Sequence, residues 1–211
     1  MSADEREIEY ETAETDVYEK PSALETIYSW TQDIITAFIA AAVLTVFILK
    51  PVGVEGPSMM PTLHSSDWVV ISNLFYEPQY KDIVVVSRNY NNDERLNVEN
   101  GNEPVIKRVV ATEGQEVDIN FETGEVKVNG AVLQEEYINE PTNTQHDVQF
   151  PVVVPRGCIF VMGDNRNRSL DSRNSVIGMV DKRYVLGKAY LRVWRDKDER
   201  GENEGIFATL G

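Results

Sequence analysis

With 211 residues, 42% of them hydrophobic, the chain is long enough for one sizeable domain plus an anchor, or for two small domains. A formal net charge of -15, from 20 Lys and Arg against 35 Asp and Glu, argues against nucleic acid as a partner, because phosphate binding needs a basic face. A single cysteine, Cys158, cannot form an internal disulfide, and with only His64 and His146 beside it a usual structural zinc site is excluded; no Walker or dinucleotide glycine pattern occurs, so no metal or cofactor is expected.

Residues 1–20 hold eight acids and two bases with few large apolar side chains, too little to offset chain entropy by burial. A disordered acidic tail is expected there, extending to residue 27. Ile34 to Leu49 then reads IITAFIAAAVLTVFIL, apolar on every face, which excludes an ordinary amphipathic surface helix. Sixteen residues make about 24 Å of helix against a hydrocarbon core near 30 Å. Tyr28 and Trp30 at one interface and a snorkelling Lys50 at the other make up the shortfall, and Pro51 stops the helix. The reading is a transmembrane helix over residues 28–50, against a buried core helix or a cleavable signal peptide. Against the last, some thirty residues precede the run and no small-x-small site follows it. Lys20 and Lys50 balance, so charge does not orient the span.

From Val52 the texture changes to short β-branched runs: WVVIS at 68–72, DIVVVS at 82–87, VIKRVVA at 105–111, VVV from Val152, CIFVM from Cys158 and KAYLRVW from Lys188. In VKVNGAVL, 126–133, Asn129-Gly130 predicts a type I′ hairpin. Residues 89–104 are polar and turn-rich, a surface loop. With no second helical period, the expectation is a mainly β chain: one N-terminal helix, then an all-β domain of short, mostly antiparallel strands over 51–195, and a C-terminal tail, 196–211, without an assigned role.

The candidate chemistry starts at GPSMMPTL, Gly56 to Leu63, which sets Ser58 between a proline and a methionine a few residues after the apolar run. A serine hydroxyl needs a base to become a nucleophile. His64 lies six residues away on a turn-like segment and reads as a loop residue. Lys107 can serve if it is neutral, which requires burial among apolar groups such as those of VIKRVV. By pattern alone, an outward-facing lysine on an alternating strand is the stronger reading, and spacing does not join residues 58 and 107.

GPSMMPTL, YKDIVVV, VIKRVVATEG and GDNRNRSLDSR, in this order behind an N-terminal apolar run, together resemble type I signal peptidase, the leader peptidase family with a Ser/Lys dyad. The resemblance covers roughly residues 30–195. It implies Ser58 as nucleophile, Lys107 as general base and Ser169 as the hydroxyl that bonds and orients the lysine amine. Arg108, Asp164, Asp171 and Arg173 match charged residues that brace the site, Gly163 allows close backbone approach beside the lysine, and Met59 packs under the nucleophile. Gly56 is a departure. Some family members carry there a hydroxyl that helps hold the oxyanion, which leaves the Ser58 backbone N–H and another donor, the Gly56 region or a water.

The implied reaction is hydrolysis of a preprotein after its signal sequence, through an acyl-enzyme on Ser58. Small apolar residues before the cut would fit a pocket of Val52, Val54, Met59, Leu63, Val105 and Ile106, with the substrate added as an extended strand. The resemblance also implies a plasma-membrane protein with a cytoplasmic tail and an extracytoplasmic catalytic domain. Its partners would be preproteins, the lipid bilayer and the secretion translocon. Trp194 is a candidate lipid contact or a core residue. Two other readings are a self-cleaving Ser/Lys repressor, which should carry a DNA-binding helix-turn-helix that this chain lacks, and a catalytically silent β module that binds signal peptides.

Overall fold

The computed structural model describes residues 22–44, 49–87, 104–194 and 208–210. The acidic tail up to residue 21 and all but the last residue of the polar 89–104 loop lie outside them. So does most of the expected C-terminal tail. Contacts divide the chain into two units, Met1–Ala42 and Val43–Gly211.

The helix α1 spans Ala23–Val43. Its start is set by a capping box: Glu25 N–H donates to Ser22 Oγ (3.2 Å) and Ser22 N–H donates to Glu25 Oε2 (2.8 Å). No side chain of α1 is buried, and Ile34, Ile35, Phe38 and Ile39 are all exposed. Among the described residues, no helix is long and apolar enough to cross a membrane. Of the expected span over 28–50, residues 45–48 lie outside the described residues. The helix starts five residues earlier, its first half carries Glu25, Ser29, Gln32 and Asp33, and the apolar run is described only to Leu44 and again at Leu49. Lys50, expected to close the span, is the first residue of a strand.

The second unit is β structure, with every pairing antiparallel. The strands are β1 Lys50–Gly53, β2 Trp68–Ser72, β3 Ile83–Val86, β4 Val105–Thr112, β5 Glu116–Asn120, β6 Glu125–Val128, β7 Ala131–Val132, β8 Val152–Val153, β9 Cys158–Met162, β10 Val180–Asp181, β11 Val185–Trp194 and β12 Ala208–Thr209. One sheet runs β1-β2-β11-β3-β4-β9-β10, with β12 also paired to β11; a smaller sheet runs β7-β6-β5-β8. The Asn129-Gly130 turn joins β6 to β7 with both residues at positive φ, as the pair predicts. β1, β5, β10 and β12 were not expected; β12 takes two residues of the tail into the sheet.

β4 positions the site. It lies between β3 and β9, with Lys107 opposite Val84 and Arg108 opposite Ile83 and Met162. Its six central residues are all buried. The strand feeds all three apolar clusters: Ile106 into one, Val110 and Ala111 into the second, Val109 into the third.

Candidate active site

The segment between β1 and β2 bends back on itself and carries Ser58. Val54 N–H donates to the Asp67 carbonyl (2.8 Å) and Ser66 N–H to the Val54 carbonyl (3.0 Å), which closes the loop. Within it, Leu63 N–H donates to the Met59 carbonyl (2.9 Å), a single helical turn whose Met59 and Leu63 side chains sink into the first cluster. Two buried apolar anchors thus hold the serine between them and the surface, where it stays half-buried.

Lys107 enters from β4. It is 3% exposed, and its Nζ lies 2.9 Å from Ser58 Oγ and donates to the Ile106 carbonyl at 2.9 Å. A hydroxyl and an amine at this separation can exchange a proton directly. His64, the other candidate base, sits in the turn where its N–H donates to Asp67 Oδ2 (2.9 Å).

The third piece follows β9. Gly163 is packed so tightly that an added Cβ would overlap both the Ser58 carbonyl and the Ser169 hydroxyl. Asn165 N–H donates to the Ser58 carbonyl (3.0 Å), and Asn165 Nδ2 donates to the Pro57 carbonyl (3.0 Å). Ser169 is buried, but its Oγ has no hydrogen-bond partner among the described residues. Its expected bond to the lysine amine is therefore not formed here; the hydroxyl packs on Gly163, while Nζ bonds to Ser58 and Ile106.

Around these groups run charged contacts that are buried, not superficial. Arg108 donates to both oxygens of Asp164 (2.8 and 2.7 Å), and Thr62 Oγ1 donates to Asp164 Oδ2 at 2.5 Å, tying the nucleophile loop to β4. Arg173 holds both oxygens of Asp171 (2.8 and 2.9 Å), and Gly163 N–H donates to Asp171 Oδ2 (3.1 Å). Burial pushes the Asp171 carboxyl up, but the Arg173 guanidinium and these donors outweigh it and hold it below the usual carboxylate range. The pair's contribution is full above a pH of about 3.9 and is lost as pH falls through the depressed pKa of the folded state. Asp171→Asn leaves Arg173 buried without its countercharge. It should cost about 3–5 kcal/mol in denaturant titrations at neutral pH, and the mutant should lose this part of the acid dependence.

A cavity of about 410 Å³ opens beside the dyad, lined by Val52, Val54, Met59, Val105 and Ile106 together with Gly56, Ser58 and Lys107. Five of the six expected pocket residues are there. Leu63 is the correction: it is fully buried in the core under the loop and does not line the cavity.

Sequence reasoning assigned no partner to Asn165, Thr62 or Arg166. Arg166 is fully buried, donates to both oxygens of Glu135 (2.7 Å each) and so fastens the chain before β8 to the site segment. Burial works against that cation, yet the Glu135 carboxylate keeps it firmly protonated. The motif GDNRNR contained two of these residues; their partners lie up to 108 positions away, which spacing cannot reveal.

Residues 27–194 match the family described as signal peptidase, peptidase S26. The chain belongs to that family. The chain is 34% identical over 171 residues to a signal peptidase I of Bacillus licheniformis, covering 76% of this chain and 85% of the relative. It is 38% identical over 165 residues to a probable signal peptidase I-1 of Synechocystis sp., covering 75% and 78%. A thylakoidal processing peptidase 1 of Arabidopsis thaliana is 33% identical over 175 residues, with 77% of this chain and 48% of that one covered. A crystal structure of a signal peptidase I from Enterococcus faecalis is 29% identical, with a TM-score of 0.42, covering 54% of this chain and 97% of that one. As a member of the S26 family, the chain is a serine endopeptidase.

Proposed function

We propose that the chain removes signal peptides from preproteins by a Ser/Lys mechanism at a membrane surface. The observation that carries this reading is the 2.9 Å approach of a buried Lys107 amine to Ser58 Oγ. Lys107, as a neutral amine in apolar surroundings, takes the Ser58 proton while Oγ attacks the carbonyl carbon of the scissile bond. The same proton passes to the departing amine, the mature protein leaves, and an ester to Ser58 is left. Water attacks that ester with Lys107 again as base, and the signal peptide is released. Arg108 and Asp164 hold the nucleophile loop against β4, while Asp171 and Arg173 support Gly163 behind Ser58.

The cavity carries Val52, Val54, Met59, Val105 and Ile106 beside Glu55 and the dyad, which fits alanine-like residues at the first and third positions before the cut. β1 is an outer strand of its sheet, so an extended substrate can pair with it and present the scissile bond to Ser58. The apolar run Ile34–Leu49 and the exposed apolar side chains of α1 support attachment to the bilayer, with the β unit outside the cytoplasm. Resistance of the full-length protein to alkaline extraction from membranes tests the attachment; release into the soluble fraction would remove it.

The deciding test of the chemistry is cleavage of a model preprotein with alanines at those two positions, by the detergent-solubilised protein and by its Lys107→Ala form. Cleavage after the second alanine by the parent alone is the expected result. Binding without cleavage by both forms would favour a silent peptide-binding module.

A further inference from the structure

The orientation of the peptide unit between Pro57 and Ser58 is held by one side chain from the opposite segment. That peptide is trans, so its C=O and its N–H point in opposite directions. The carbonyl accepts from Asn165 Nδ2 at 3.0 Å. The N–H, which belongs to Ser58, makes no hydrogen bond among the described residues. The cavity beside the dyad is lined by Gly56, Ser58 and Lys107 and by no residue of 163–173. Holding the carbonyl toward Asn165 therefore turns the N–H away from that segment, to the side from which a substrate carbonyl reaches Oγ.

We propose that Asn165 is a positioning residue that latches the Pro57–Ser58 peptide with its N–H presented to the oxyanion. The inference rests on Ser58 being the nucleophile. Three further features fit it. Asn165 is 4% exposed, so water does not readily compete for the bond. Its Oδ1 has no partner among the described residues, so the amide's one hydrogen bond is the one to Pro57. Gly56, just before the latched unit, has a φ of 79° and nothing within 4 Å of where a Cβ would sit. The backbone there has room to rotate, and a fixed partner is what prevents it. The separate bond from Asn165 N–H to the Ser58 carbonyl survives any side-chain replacement, so the segment stays docked when the latch is removed.

The test uses the full-length protein and Asn165→Leu, which keeps the bulk and removes the donor, with Asn165→Ala as a second variant. Three quantities are read: kcat and KM on a preprotein, affinity for a peptidyl boronic acid ending in alanine, and affinity for an uncleavable peptide of the same sequence. The boronic acid becomes tetrahedral on Ser58 and engages the oxyanion donor; the uncleavable peptide does not. A lost donor corresponds to about a 100- to 1,000-fold fall in kcat. The boronic acid should weaken in parallel, with KM and peptide affinity unchanged. The ratio of the two affinities is read within one folded population, so a less stable variant still gives an answer. Equal loss of both affinities, or an unchanged kcat, overturns the latch. If the parent protein forms no boronate adduct on Ser58 at all, the nucleophile assignment falls and the latch falls with it.

Discussion

Replacing Lys107 by alanine is expected to lower kcat on a preprotein by about 10⁴- to 10⁶-fold, and Ser58→Ala by a similar factor. The two groups act as a unit at 2.9 Å, so the double variant should be scarcely worse than either single one. The fold should survive both changes. Ser58 lies half-buried on a loop, and removal of the lysine stem from β4 leaves the apolar neighbours Ile106, Val109 and Val110 in place. Single-turnover cleavage, read beside thermal melting, separates the outcomes. A folded Lys107→Ala protein that cuts at the parent rate would remove the dyad.

Gly163→Ala should abolish most activity without touching either reacting group. The added methyl meets the Ser169 hydroxyl and the Ser58 carbonyl. A hydroxyl can rotate away, but the carbonyl is main chain, so the nucleophile's own backbone must yield. Displacement by about 1 Å costs on the order of 100-fold in rate. Overpacking of this kind also costs about 1–3 kcal/mol of stability. The expected signature is a folded, less stable protein with kcat down at least about 100-fold. Restoration by Gly163→Ala combined with Ser169→Gly would instead place the clash on the Ser169 side chain.

The β runs were legible because β-branched residues in short stretches bounded by Gly and Pro have few other solutions, and β2, β3, β4 and β9 appear within a residue of their expected limits. β5, EVDIN, alternates just as clearly, yet its two charged residues hid it. The capping box at Ser22 and Glu25 was equally available and would have put the helix start at Ala23 in place of residue 28. Lys107 is different in kind. Alternation along VIKRVV suggested an outward lysine, but a strand covered on both faces has no outward direction, so the periodicity carried no information at that position. Its approach to Ser58 became legible only through likeness to a family. Asn165 was quoted in a motif and given no role, because its partners depend on how β9 returns beside the nucleophile loop.

The central placement of β4 bears on how this enzyme fails as well as how it works. Because that strand joins all three apolar clusters, its amides belong to the region that opens only when the whole β unit unfolds. Hydrogen exchange at β4 should therefore proceed at the global unfolding free energy. On heating, catalysis should disappear together with the tertiary fold, without an earlier phase of inactive but folded protein.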